Sequence, residues 1–167
     1  ELLGFCASPD SSSLAVLWRR SGKSTLSWIR ARDGGLLSTE TREEWEDVMD
    51  MTMVAPESLA ITRTAGEIAL HNLREGRTTK TLKNMDRVPV YLSYSAEAGR
   101  MATIDIGGQV ELWDTRHWLH VPLVSNPQDN RSSISMGLAF SPGGGKLAYF
   151  SEDGTVSILV APRPSLP

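Results

Sequence analysis

The segment Arg20-Ser21-Gly22-Lys23-Ser24-Thr25 brings together residue types that could cradle a phosphate: a glycine, a lysine and hydroxyls in succession. A phosphate-binding loop also needs a glycine five residues before Gly22, where Leu17 stands, and a helix after it whose N-terminus faces the anion. The residues after Lys23 read as a strand, so a basic hairpin loop is expected instead. Gly143-Gly144-Gly145-Lys146 fails the same spacing and reads as a turn. The histidines are His71, His117 and His120, and neither they nor Cys6 make a metal-ligand spacing. His117 and His120 are expected on opposite sides of one strand, because strand side chains alternate. Serines are abundant, yet no Gly-x-Ser-x-Gly elbow occurs. The expectation is a chain that is not an enzyme and has no catalytic residue, no cofactor and no metal ligand.

Two charge clusters could instead serve recognition. Glu40, Glu43, Glu44, Glu46, Asp47 and Asp50 surround Trp45. Either this is a solvated acidic connection with Trp45 folded back between two sheets, or it is an acidic loop whose tryptophan anchors a basic partner. Arg19, Arg20, Lys23, Arg30 and Arg32 form the opposite cluster, suited to an acidic peptide or a phosphate, or simply to water. Trp45, Glu43, Glu44, Arg19 and Arg20 are the candidate partner-binding residues. Trp28 is expected in the core, while Trp18 and Trp118 suit either core or surface.

The elements that must position these groups repeat. A small-residue turn followed by a strand of alternating character occurs at Ser24–Arg30, Gly66–Asn72, Gly108–Asp114 and Gly154–Val160. From Ile29 to His71 is 42 residues, from His71 to Trp113 is 42, and from Trp113 to Leu159 is 46. A period of ~40–45 residues with several short strands in each unit is the mark of a propeller array. Runs rich in Val, Ile, Leu and aromatics, bounded by Gly, Pro, Asp and Ser, predict the strands. In the first repeat they are Leu2–Ala7, Leu14–Trp18, Thr25–Arg30 and Leu36–Thr39. The second gives Val48–Val54, Ser58–Arg63, Glu67–Leu73 and Thr78–Lys83. The third gives Pro89–Tyr94, Arg100–Ile106, Gln109–Asp114 and Leu119–Val124. The fourth gives Ile134–Phe140, Lys146–Ser151 and Thr155–Val160. Asp153-Gly154 and Gly107-Gly108 are expected as two-residue hairpin loops with φ > 0 at both positions. Ser8-Pro9-Asp10 and Ser141-Pro142-Gly143 are expected to make the same turn between first and second strands. Thr39–Met51 is expected to be a long acidic connection.

With the repeats aligned, the chain resembles the WD40-repeat β-propellers. Gly108–Asp114 ends in the Trp113-Asp114 dipeptide, and Ala139-Phe140-Ser141-Pro142 with Ser151-Glu152-Asp153-Gly154-Thr155-Val156 matches the rest of the repeat. Repeat one contributes Ser8-Pro9-Asp10, a turn that it shares with the related propeller repeats of periplasmic translocation proteins. The resemblance implies an all-β propeller of four-stranded antiparallel blades, approximately 1–40, 46–83, 88–125 and 132–160, with a proline-rich tail at 161–167. Trp113, Asp114, Asp153, Gly108 and Gly154 would carry the structural repeat signature. The Gly-His dipeptide common before the first strand is missing from every repeat, so the family's Asp–His–Ser/Thr–Trp network is complete in none. Family rings mostly have seven blades. Four repeats ending on a third strand therefore imply a partial propeller with apolar faces exposed at its first and last blades. A closed four-bladed ring and assembly with a second copy are the alternatives.

Composition agrees with a globular chain: 167 residues, 40% hydrophobic and 22% charged. A net charge of −3 provides no general attraction to nucleic acid or anionic membrane. A single cysteine excludes an internal disulfide framework and fits a reducing compartment, so a cytoplasmic location is expected. No apolar run reaches the ~18 residues of a membrane span, and no signal peptide is visible. The expected function is a non-catalytic scaffold or sensor segment of a larger protein, displaying loops to a protein or peptide partner. Further blades from a longer parent chain, or a second copy, are the other expected partners. The alternatives are a propeller enzyme or small-molecule-binding propeller, and a regulatory module of an attached catalytic domain.

Overall fold

The computed structural model describes residues 1–82, 88–105, 107–123, 135–151 and 154–160. Asp153, the tail 161–167 and the expected strand ends at Lys83, Ile106, Val124 and Ile134 lie outside them. Among the described residues the chain is all-β, and its strands form four antiparallel meanders. Sheet 1 holds β1 (Leu2–Ala7), β2 (Ser13–Arg20), β3 (Lys23–Arg30) and β4 (Leu36–Thr41) in that order. Sheet 2 holds β5 (Val48–Ala55), β6 (Ser58–Arg63), β7 (Ile68–Asn72) and β8 (Arg77–Leu82). Sheet 3 holds β9 (Pro89–Ser95), β10 (Arg100–Asp105), β11 (Val110–Asp114) and β12 (Leu119–Leu123). Sheet 4 has three strands, β13 (Ser135–Phe140), β14 (Lys146–Ser151) and β15 (Val156–Val160). The chain divides into two compact units at Pro89 and Val90, so sheets 1 and 2 form one and sheets 3 and 4 the other.

The repeat extends to individual hydrogen bonds. In the first and fourth meanders the Ser8 and Ser141 backbone N–H groups donate to the Ser13 and Lys146 carbonyls. Ser11 and Gly144 close each turn with positive φ, and their N–H groups donate back to the Ser8 and Ser141 carbonyls. The two serine hydroxyls accept from the N–H groups of Ser13 and Lys146. A second shared turn comes after the third strand. Gly34, Gly76 and Trp118 donate their N–H groups to the carbonyls of Arg30, Asn72 and Asp114, four residues back, and all three have positive φ. Asn72 and Asp114 also accept backbone N–H groups on their side-chain oxygens, from Arg74 and Glu75 and from Arg116. This is the local bonding that makes Asn and Asp turn formers.

One expected turn comes out differently, while Asp153-Gly154 lies partly outside the described residues. Gly108 has φ 79°, whereas Gly107 is not in the left-handed region. Asp105 N–H donates to the Gln109 carbonyl and Gly108 N–H to the Asp105 carbonyl. Arg63, Gly66 and Glu67 repeat that pattern. These are three-residue loops with one left-handed glycine at the end, so a second is not required. The two-residue loop with both positions left-handed occurs at Ser21-Gly22, φ 52° and 76°, between paired Arg20 and Lys23. The acidic connection also differs. Register pairs Leu26 with Glu40 and Thr25 with Thr41, which lengthens β4, and Arg42–Asp47 alone joins it to β5 through a 3₁₀ turn at Glu43–Trp45.

The cores obey strand alternation. In the first unit Ala15, Leu17, Leu26 and Trp28 of sheet 1 pack with Met51, Met53, Leu59 and Ile61 of sheet 2. In the second, Ala102, Ile104 and Val110 of sheet 3 pack with Leu147, Leu138 and Leu159 of sheet 4. Each fully buried Leu, Ile or Met contributes roughly 1.5–3 kcal/mol.

Candidate interaction surfaces

The four aligned positions share one register: Ile29 pairs with Leu14, His71 with Leu59, Trp113 with Met101 and Leu159 with Leu147. His71 lies on the face of sheet 2 that carries Leu59 and Ile61 toward sheet 1, and Leu159 on the face of sheet 4 turned to sheet 3. The position therefore marks the face directed at the preceding sheet of the same unit.

Trp45 is 1% exposed and is not available to a partner. It belongs to the core between sheets 1 and 2, with its ring edge-on to His71 at 5.0 Å. The acidic residues beside it are bound up in ion pairs. His71 Nε2 lies 3.2 Å from Glu40 Oε1, and Arg42 pairs with Glu40 at 2.9 Å and with Glu44 at 3.2 Å. Arg63 lies 3.9 Å from Glu44 and 3.5 Å from Glu67. Arg42 also donates to the Gly76 carbonyl. The arrangement holds β4, the 3₁₀ turn, β6 and β7 together. Only Glu43 and Glu46 of this turn are exposed.

The basic residues do not form one cluster. Arg20 and Lys23 pair at one end of sheet 1, and Arg30 pairs with Ser13 at the other. An eight-residue strand separates these ends by roughly 23 Å at ~3.3 Å per residue. Arg19 donates from Nε to the Ser24 hydroxyl at 3.2 Å, and Arg20 is exposed. Arg30 and Arg32 line an open depression of about 740 Å³ with Ser11, Ser12 and Ala31. Both arginines are already paired with Asp33. The Asp33 carboxyl is held below its ordinary range chiefly by the Gly35 N–H, with Arg30 adding to the effect.

Trp113 is 2% exposed, donates from Nε1 to the Thr103 hydroxyl at 3.3 Å, and packs on His120 at 4.6 Å. His117 lies in the turn before β12, not on that strand, with Nδ1 2.7 Å from Asp114 Oδ2. This contact, then the Arg116 N–H, holds the Asp114 carboxyl below its usual range. Trp28 is buried, and Trp18 donates from Nε1 to the Ser27 hydroxyl. The Cys6 thiol is pushed up to about 12, chiefly by burial, which keeps it out of the reactive thiolate form.

Many of the exposed large apolar side chains gather on one face each of sheets 1 and 4, the first and last of the expected blades. Sheet 1 has its inward face on sheet 2. Its other face carries Phe5, 67% exposed, Leu36, 61% exposed, and half-buried Leu14, Val16, Trp18 and Ile29. Sheet 4 has Leu147 and Leu159 inward, and its other face carries Phe150, 44% exposed, with Val156, Ile158 and Val160 at 66%, 63% and 74%. Phe150 lies across Gly137, where an added Cβ would meet its ring at 2.6 Å. By contrast, Leu59–Thr62, Ile68–His71 and Met101–Asp105, the middle of sheets 2 and 3, are buried on both faces.

No protein-family model and no curated protein matches the chain. Among the described residues no group of three His, Cys, Asp or Glu side chains could hold a metal ion, and no helix is long and apolar enough to cross a membrane.

Proposed function

We propose that this chain is a segment of a WD40-like β-propeller that serves as a non-catalytic protein-interaction scaffold. The observation that carries the reading is the pair of uncovered apolar faces on sheets 1 and 4. Contiguous exposed apolar patches beyond a few hundred Å² mark interaction sites. Four meanders with shared register and shared turn bonds support the propeller reading. Each face is the back of a sheet whose front is packed, an arrangement that on this reading keeps the ordering cost of binding small. Recognition on this reading is by shape and apolar burial, with exposed Arg20 and Lys23 at one end of sheet 1.

Carbene footprinting tests it. Phe5, Phe150 and Ile158 are expected to label in the dissociated chain and to be protected in the assembly recovered from cells. Equal labelling in both states ends the scaffold reading, as does substrate turnover that disappears when Glu40 or His71 is replaced.

A further inference from the structure

Between sheets 1 and 2 the core holds ring nitrogens that have no hydrogen-bond partner among the described residues. They are His71 Nδ1, Trp45 Nε1 and Trp28 Nε1, on side chains that are 0%, 1% and 9% exposed. Trp45 and Trp28 belong to the apolar cluster shared by the two sheets, and the Trp45 ring stands against His71 with 5.0 Å between centroids and 84° between planes. A buried polar group left dry costs more than its hydrogen bond would gain, so nearly all such groups have a partner. The two nitrogens of the Trp45–His71 contact are also complementary. His71 Nε2 lies 3.2 Å from Glu40 Oε1, and Glu40 is ion-paired with Arg42 at 2.9 Å. A carboxylate only accepts, so Nε2 carries the proton and donates. In a neutral ring Nδ1 is then an acceptor, whereas the indole N–H of Trp45 is a donor only. One unused donor and one unused acceptor therefore meet in a single contact without bonding to each other.

We infer that a buried water molecule bridges this contact, accepting from Trp45 Nε1–H and donating to His71 Nδ1. Water is the occupant that fits, because it offers an acceptor and a donor from one atom, and two polar partners are the fewest that hold a buried water. A metal ion does not fit: an indole N–H is not a ligand, and among the described residues no group of three His, Cys, Asp or Glu side chains could hold one. Trp28 is close to the same strand, since Ser38, its register partner, donates from its hydroxyl to the carbonyl of Leu73, two residues beyond His71. The bridge ties the Glu43–Trp45 turn to β7 of sheet 2, beside the Glu40–His71 contact that ties β4 to the same strand. It also fixes the tautomer of His71. The site is internal to the first unit and stands or falls apart from the scaffold reading.

Nuclear magnetic resonance on the intact, isotopically labelled chain tests it. The Trp45 indole proton, identified by its loss in Trp45→Phe, should give a rotating-frame Overhauser peak to water, opposite in sign to proton exchange. The ring-nitrogen shifts of His71 should show a protonated Nε2 and an unprotonated, hydrogen-bonded Nδ1. Replacement of Trp45 by benzothienylalanine keeps the ring shape and puts sulfur in place of the N–H, so it should lower the denaturant midpoint by leaving the water without its donor. Absence of the water peak at Trp45 overturns the inference, as does a proton on His71 Nδ1. So does a midpoint that is unchanged or raised, the result for an indole N–H that was dry in the parent.

Discussion

Strands β7 and β15 occupy the same place in the second and fourth repeats and have similar apolar sequences, Ile68–Asn72 and Val156–Val160. Their environments are opposite. Ile68 is 0% and Leu70 4% exposed, while Val156, Ile158 and Val160 exceed 60%. Alternation puts apolar side chains on both sides of each strand, but only β7 has both sides covered. The lesson is that a propeller-type strand is written for two neighbours, and an uncovered side is information about assembly, not about the strand.

The largest effects test that contrast directly. Ile68→Ala should lower stability by about 2–5 kcal/mol, the range for buried large-to-small changes. Ile158→Ala should stay within about 0.5 kcal/mol in the dissociated chain, as for surface changes. Denaturant titration of both variants checks this, and equal losses would mean that β15 is covered after all.

A second contrast concerns glycines of the fourth repeat. Gly144 has φ +64°, and an added Cβ would sit 2.4 Å from Ala98 Cβ and 2.5 Å from Ser95 Oγ, so Gly144→Ala carries both backbone strain and a clash. Gly154 has φ +83° with nothing within 4 Å. Thermal melts should show a loss of about 3 kcal/mol for Gly144→Ala and about 1–2 kcal/mol for Gly154→Ala, the left-handed penalty alone. Gly154→Val should exceed Gly154→Ala, because a β-branched side chain resists positive φ more strongly.

Acid should act on the turns shared by the repeats and not on the faces that differ. Asp10 is held below the ordinary range chiefly by the Ser8 hydroxyl, and Asp33 and Asp114 are lowered as well. A folded-state pKa below the unfolded value stabilises fully above the unfolded value near ~3.9 and is lost as pH falls through the lowered one. Stability should therefore be flat from these groups above pH ~5 and decline below pH ~4, and Asp114→Asn should reduce the decline. An equal decline in that variant would detach the Asp114 turn from folding.

The smallest expected effect is a gain. Ser21 holds φ 52° beside Gly22 in the two-residue hairpin loop, a position that favours asparagine. Ser21→Asn should add about 0.5 kcal/mol, read as a shift in denaturant midpoint, since it relieves left-handed strain without touching either face.

Period-two alternation and turn residues are local properties, and they determined much of this protein. All of the expected strands are present within a few residues of their predicted ends, and Ser58–Arg63 and Lys146–Ser151 coincide with theirs. The turns at Ser8-Pro9 and Ser141-Pro142 were legible because proline, serine and glycine constrain the backbone within four residues. Interactions set by distance through space were not legible. Nothing near Trp45 in the sequence says that Glu40 reaches His71, 31 residues away, or that Arg42 and Arg63 both pair with Glu44. The basic residues looked like one cluster because the hairpin that separates Arg20 from Arg30 is folded, not written. Strand alternation specified that Val156, Ile158 and Val160 share a face, and an exposed apolar face was expected at the last blade, whereas which of the two faces is left open depends on the packing of whole sheets, and only the tertiary structure decided it.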